Sequence, residues 1–80
     1  MKPKILIVED ERAIADTIQY ALETDGFETL YLASGMQVLP LLAQEQIRLI
    51  ILDIGLPDIN GLELCKEIRK QNDETNLFLG

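Results

Sequence analysis

The sequence predicts an α/β domain built on a parallel sheet, and three observations carry that reading. Short apolar runs alternate with amphipathic stretches of helical period, in the order β-α-β-α-β-α-β. The run Lys4-Ile5-Leu6-Ile7-Val8 is uniformly apolar after its lysine, as expected of a parallel strand covered on both faces. This run and a second, Leu49-Ile50-Ile51-Leu52, both end in carboxylates: Glu9-Asp10 and Asp53.

Each element has its own local warrant. The first strand spans Lys4 to Val8. From about Glu11 to Thr24, Ile14, Ile18, Ala21 and Leu22 recur at i, i+4, i+7 and i+8, which predicts a helix with one apolar stripe; Asp25-Gly26 supplies its stop. Thr29 to Leu32 is a short second strand. Ser34, with Gln37 three residues on, has the form of a capping box for a second helix. Pro40 falls inside that helix, where it removes the backbone bond to Met36 and costs about 3 kcal/mol in a regular interior. A kink or a late helix start is therefore expected.

Leu49 to Leu52 is the third strand. The loop from Ile54 to Ile59 leads into Asn60-Gly61-Leu62-Glu63, where Asn60 suits an N-cap and Glu63 is placed to return the bond. Gly61 reads as a helix-entry residue without chemical work. The third helix is expected to run to about Lys70 and to bury Leu64, Cys65 and Ile68. Leu77-Phe78-Leu79 reads as a fourth strand.

Composition narrows the function classes. Eighty residues fit one small domain, and 48% apolar content makes it globular rather than disordered. Fourteen acidic against seven basic residues, a net charge of -7, argue against direct nucleic-acid binding, which needs a basic face. The apolar runs are far shorter than a membrane span, and Met1-Lys2-Pro3-Lys4 enters the first strand without a signal-peptide core. A cytoplasmic location with no membrane partner is expected. Cys65, the lone cysteine, excludes an internal disulfide and a Cys-based zinc site, and reads as a small buried apolar residue. The absence of histidine excludes a His-based triad or metal site, so any phosphohistidine must come from a partner.

If the two carboxylate-ended runs lie side by side, Glu9, Asp10 and Asp53 meet at the carboxyl end of the sheet, where α/β proteins bind ligands. Three carboxylates at close range repel one another unless a cation joins them. Magnesium fits, because it takes one or two carboxylates plus a carbonyl and keeps several waters. Asp10 and Asp53 are the candidate direct ligands, Glu9 acts through water, and the loop after Asp53 offers a backbone oxygen. A carboxylate beside such a metal is also a nucleophile able to form an aspartyl phosphate. Each acid has a plainer alternative: Asp10 as N-cap of the first helix, Glu9 as a solvated loop charge, Asp58 after Pro57 as turn chemistry. Asp53 is the hardest to dismiss, since a carboxylate ending a buried strand is costly unless paired or ligated.

Val8-Glu9-Asp10-Glu11 followed by a helix, with Asp53-Ile54-Gly55-Leu56-Pro57-Asp58-Ile59-Asn60-Gly61-Leu62-Glu63 after a strand, resembles the receiver domain of two-component response regulators. The pattern is similar to the OmpR/PhoB-type transcription factors, and Gly26-Phe27, Gly55-Leu56-Pro57-Asp58 and Glu63-Leu64-Cys65 resemble the CreB type. The resemblance implies a CheY-like (flavodoxin-like) doubly wound parallel sheet, here incomplete, with strands 1–4 and helices 1–3. It implies Asp53 as the acceptor of a phosphoryl group from a sensor histidine kinase. Asp10 becomes the direct Mg2+ ligand, Glu9 the second member of the acidic pocket, and Gly55 the residue whose carbonyl completes the coordination.

The match also departs from the family. A receiver has about 120 residues in a five-stranded sheet ordered 2-1-3-4-5, so residues 1–80 correspond to its N-terminal two-thirds, expected to be interrupted after the fourth strand. The family's hydroxyl residue at the end of strand four is Gly80 here, and Lys2-Pro3 lies at the wrong end of the sheet to replace the strand-five Lys-Pro pair. One sheet face would lose helix cover, and the fourth strand would form an apolar edge open to self-association. The expected role is a phosphoacceptor module controlling a DNA-binding output domain that lies outside this sequence. The alternative is a metal-binding pseudo-receiver or dimerising fragment without phosphotransfer. A magnesium-dependent aspartyl phosphatase is disfavoured, because its usual second acid two residues after the nucleophile is Gly55.

Overall fold

The computed structural model describes residues 2–80; Met1, at the head of the expected approach to the first strand, lies outside them. The chain runs β1 (Lys4–Val8), α1 (Arg12–Thr24), β2 (Glu28–Leu32), a 3-10 turn (Gly35–Gln37), α2 (Val38–Gln44), β3 (Leu49–Leu52), α3 (Gly61–Gln71) and β4 (Asn76–Leu79). All strand pairings are parallel, in the order β2-β1-β3-β4. β1 is central because it is apolar on both faces: Leu6, Ile7 and Val8 are fully buried. Full burial of such a side chain stabilises by about 1.5–3 kcal/mol relative to leaving it exposed.

The two sheet faces are unequally covered. Leu6, Val8, Ile50 and Leu52 point to one side, where they form the main core with Val38 and Leu42 of α2 and Leu64 and Ile68 of α3. On the other side α1 buries only Ala15, and the expected stripe is corrected accordingly. Ile14 is 46% exposed, Ala21 is exposed, and Ile18 and Leu22 are half-buried. The helical period is right, but burial also needs something on the far side. Ile14 and Ile18 instead line an open groove with Ile7, Ile51 and Phe78. Phe78 is 60% exposed, so β4 is the apolar edge that its composition suggested.

Local signals were borne out unevenly. Pro40 does mark a late start: α2 begins at Val38, so the ring sits in the first turn, where its missing N–H costs nothing. The Ser34-Gln37 box does not form as such. Ser34 caps the 3-10 turn by accepting from Met36 N–H, and α2 begins only at the residue after Gln37. Asn60 caps α3, accepting from the N–H groups of Leu62 and Glu63. Glu63 does not return that bond; its carboxylate pairs with Lys66 at 3.4 Å. Cys65 is only half-buried, packing against the core from its margin.

Gly61 has a packing reason of its own. A Cβ added there would lie 2.4 Å from Ile54 Cα and 3.0 Å from its carbonyl oxygen, so loop backbone and helix entry touch. Replacing helical Gly with Ala gains at most about 1 kcal/mol of propensity, whereas overpacking costs about 1–3 kcal/mol. Gly61→Ala is therefore expected to lower the urea midpoint, and a raised midpoint would mean that the Ile54 backbone gives way to the methyl group.

Candidate metal and phosphoacceptor site

Parallel register assembles the site. Ile7 lies beside Ile51 and Val8 beside Leu52, so the residues that follow each strand emerge together. One carboxylate oxygen from each of Glu9, Asp10 and Asp53 lies within 4.8 Å of the others. The ladder continues into the site: Asp53 N–H donates to the Val8 carbonyl and Glu9 N–H to the Leu32 carbonyl, each at 3.0 Å. The Tyr31 hydroxyl donates to the Glu9 carbonyl at 2.8 Å. The backbone carrying two of the acids is thus fixed before any ligand arrives.

Charge in the cluster is uncompensated by side chains. Arg12 lies 5.1 Å from the Tyr31 ring centre but pairs with Asp16 at 3.0 Å, and among the described residues no Lys or Arg forms an ion pair with the three acids. Glu9 is 8% exposed, Asp53 is half-buried and Asp10 is exposed. Burial first, then hydrogen bonding and charge from Asp53, with smaller repulsion from Asp10 and Glu11, push the Glu9 carboxyl up to about 7. Asp53 moves the other way, held below the usual carboxylate range by the Gly55 N–H, 2.8 Å from its Oδ1, and then by Glu9. The pocket therefore favours a proton on Glu9 or a cation among the three acids. A donor set of three carboxylates, with Asp10 open to water, suits a small divalent ion that retains part of its hydration shell.

The plainer alternatives for the acids fail on geometry. Asp10 does not cap α1; the N-cap position is Glu11, whose side chain makes no capping bond. Glu9 is not a solvated loop charge. Asp58 does more than turn its own loop: its carboxylate accepts from the Ser34 hydroxyl at 2.7 Å and from the N–H groups of Met36 and Gly35 at 2.9 and 3.1 Å. Those donors, Ser34 foremost, hold the Asp58 carboxyl below the usual range. Tyr31 was also missed, although its place next to the last residue of β2 puts it at the carboxyl end. Gly55 reaches the site through its N–H, and Gly80, whose N–H donates to the Leu52 carbonyl at 3.0 Å, brings no hydroxyl there.

Fold and site together define a doubly wound α/β module with an acidic pocket at the carboxyl end of its central strands. Residues 5–79 match the response regulator receiver domain, and the chain belongs to that family. It is 39% identical over 71 residues to the alkaline phosphatase synthesis transcriptional regulatory protein PhoP of Bacillus subtilis, covering 89% of this chain and 30% of that protein. It is 42% identical over 64 residues to the transcriptional regulatory protein CreB of Escherichia coli, covering 80% of this chain and 28% of that protein. The chain thus spans less than a third of either relative. Among solved structures, response regulator TrrA of Thermotoga maritima in complex with Mg2+ and BeF superposes with a TM-score of 0.90 at 35% identity, over 99% of this chain and 68% of that one. TrrA in complex with the histidine kinase ThkA gives 0.89 at 35% identity, over 99% and 67%. No helix among the described residues is long and apolar enough to cross a membrane.

The Glu9 shift sets a sign for pH dependence. The folded chain binds this proton more tightly than the unfolded chain, so the contribution is complete below pH 4.5 and is lost as pH rises to about 7. Metal-free unfolding in urea is expected to show lower stability at about pH 7.5 than at about pH 5, and Glu9→Gln should flatten that difference. An unchanged slope in the variant would place the titration elsewhere.

Proposed function

We propose that this chain is the phosphoacceptor part of a receiver domain, taking a phosphoryl group from the phosphohistidine of a sensor histidine kinase onto Asp53 with Mg2+. The observation that carries this reading is the convergence of Glu9, Asp10 and Asp53 within 4.8 Å, with Asp53 biased to its ionised form. Asp10 and Asp53 would hold the ion directly, Glu9 through water and Gly55 through its backbone carbonyl. Bound Mg2+ would neutralise charge on the transferring phosphoryl group.

The chain's own residues supply the nucleophile and its aim. Gly55 N–H engages Asp53 Oδ1, which restrains rotation of the carboxylate and leaves Oδ2 outside that bond. A carboxylate oxygen of Asp53 attacks phosphorus; the P–O bond forms as the P–N bond breaks, and the histidine nitrogen leaves with the electron pair and takes up a proton. The acidic overall charge fits Mg2+ attraction and argues against nucleic-acid contact by this segment.

The complexes of TrrA with a histidine kinase and with Mg2+ support the partner and the cofactor in this reading. Its coverage of 67% of TrrA supports residues 1–80 as the N-terminal two-thirds of such a domain. Two relatives named as transcriptional regulatory proteins support a role in controlling transcription through a DNA-binding output domain.

Incubation with Mg2+ and acetyl phosphate is expected to give an acid-stable, base-labile adduct that Asp53→Asn abolishes. A folded, metal-loaded sample that never labels would instead support the metal-binding pseudo-receiver. Asp10→Asn is expected to weaken Mg2+ binding about tenfold or more, read by Tyr31 fluorescence or amide shifts; unchanged affinity would remove Asp10 from the ligand set.

A further inference from the structure

The loop that carries Gly55 is held from a distance. Asp58, five residues beyond Asp53, accepts three hydrogen bonds from Ser34, Gly35 and Met36, across a sequence gap of more than twenty residues. Side chains of the β3–α3 loop also pack directly against the backbone at Gly35. A Cβ at Gly35 would lie 2.3 Å from Ile59 Cγ2 and 3.1 Å from Leu56 Cδ1, both side chains of the same loop. Leu56 is buried in the main core, so the segment between Asp53 and Asn60 has an apolar anchor and a polar one. Gly55 lies between the Asp53 carboxylate it touches and the Leu56 and Asp58 anchors.

We infer that Asp58 is a positioning residue for the acidic site: by clamping the β3–α3 loop to the start of the 3-10 turn, it holds Gly55 where its N–H orients Asp53. This inference rests on the proposed role of Asp53, but the clamp itself is a property of the metal-free chain. Asp58 is exposed and touches none of the three acids, so any effect on them passes through the loop. An acceptor serving only to cap the 3-10 turn would affect stability and leave Gly55 unmoved. Asparagine keeps one acceptor oxygen and loses the second, whereas alanine keeps none.

The test compares wild type with Asp58→Asn, Asp58→Ala and Ser34→Ala by amide NMR, well below each melting temperature. Without metal, the Gly55 amide is expected to shift and exchange faster in the order wild type, Asp58→Asn, Asp58→Ala, with Ser34→Ala moving in the same direction by less. On titration with Mg2+, Asp58→Ala is expected to bind about tenfold more weakly, the size typical of losing an outer-shell support, with Asp58→Asn intermediate. Variants that melt lower yet keep the Gly55 amide and the Mg2+ affinity of wild type would overturn the inference. If Asp58→Ala does not fold, Asp58→Asn decides on the same two readouts. If wild type binds no Mg2+, the reading of the acidic site fails, while the metal-free Gly55 amide still tests the clamp.

Discussion

Like charges forced together by a parallel ladder are the constraint around which this small domain is arranged. β1 and β3 lie side by side because their apolar residues are satisfied there, and their register leaves Glu9, Asp10 and Asp53 no separate exits. Among the described residues, repulsion among the three is not relieved by an ion pair with a basic side chain. It is distributed instead: Glu9, the buried member, is driven toward its protonated form, while Asp53 is held ionised by a backbone donor. The energy that keeps the acids together comes from the main core beneath them, where Leu6, Val8, Ile50 and Leu52 meet α2 and α3.

That arrangement gives the three acids different freedoms. Asp53 is tied through its backbone to Val8 and through its side chain to Gly55. Glu9 is tied through its N–H to Leu32, through its carbonyl to Tyr31, and by burial of its side chain. Asp10 is the exposed member of the three, so solvent reaches its carboxylate directly. Under the proposed role, one adaptable ligand would stand beside a fixed nucleophile, since misplacement of an attacking atom is costly. The division between Asp10 and Asp53 matches that pairing.

Much of this was legible in the residues, and the failures share a cause. The first and third strands, the α3 cap and the acid cluster follow from signals confined to a few neighbouring residues: uniform apolarity, Asn60 before Gly61, a carboxylate at a strand end. α1 was legible in period but not in burial, because Ile14 and Ile18 are buried only if a further element covers the groove they share with Ile51 and Phe78. The Ser34-Gln37 box misled for a related reason. Its local pattern is sound, but Asp58 supplies a charged acceptor from another loop, and charge-assisted bonds are stronger than neutral ones. Tyr31 could be placed at the site only once β2 was paired to β1, since its bond spans twenty-two residues.

The β3–α3 loop shows what such distant contacts accomplish. Residues between a strand and a helix would ordinarily retain freedom that costs about 1–2 kcal/mol each to remove. Here the ordering is built from separate local terms: Gly55 N–H on Asp53, Leu56 in the core, Asp58 on the 3-10 turn, Asn60 on the α3 N–H groups, and Gly61 against Ile54. Of these, only the Gly55 N–H touches one of the three acids. The loop is therefore ordered mainly by contacts away from the acids, and Asp10 stays exposed to water. Such a division lets a chain with a modest core hold the Asp53 carboxylate in place without closing the site around it.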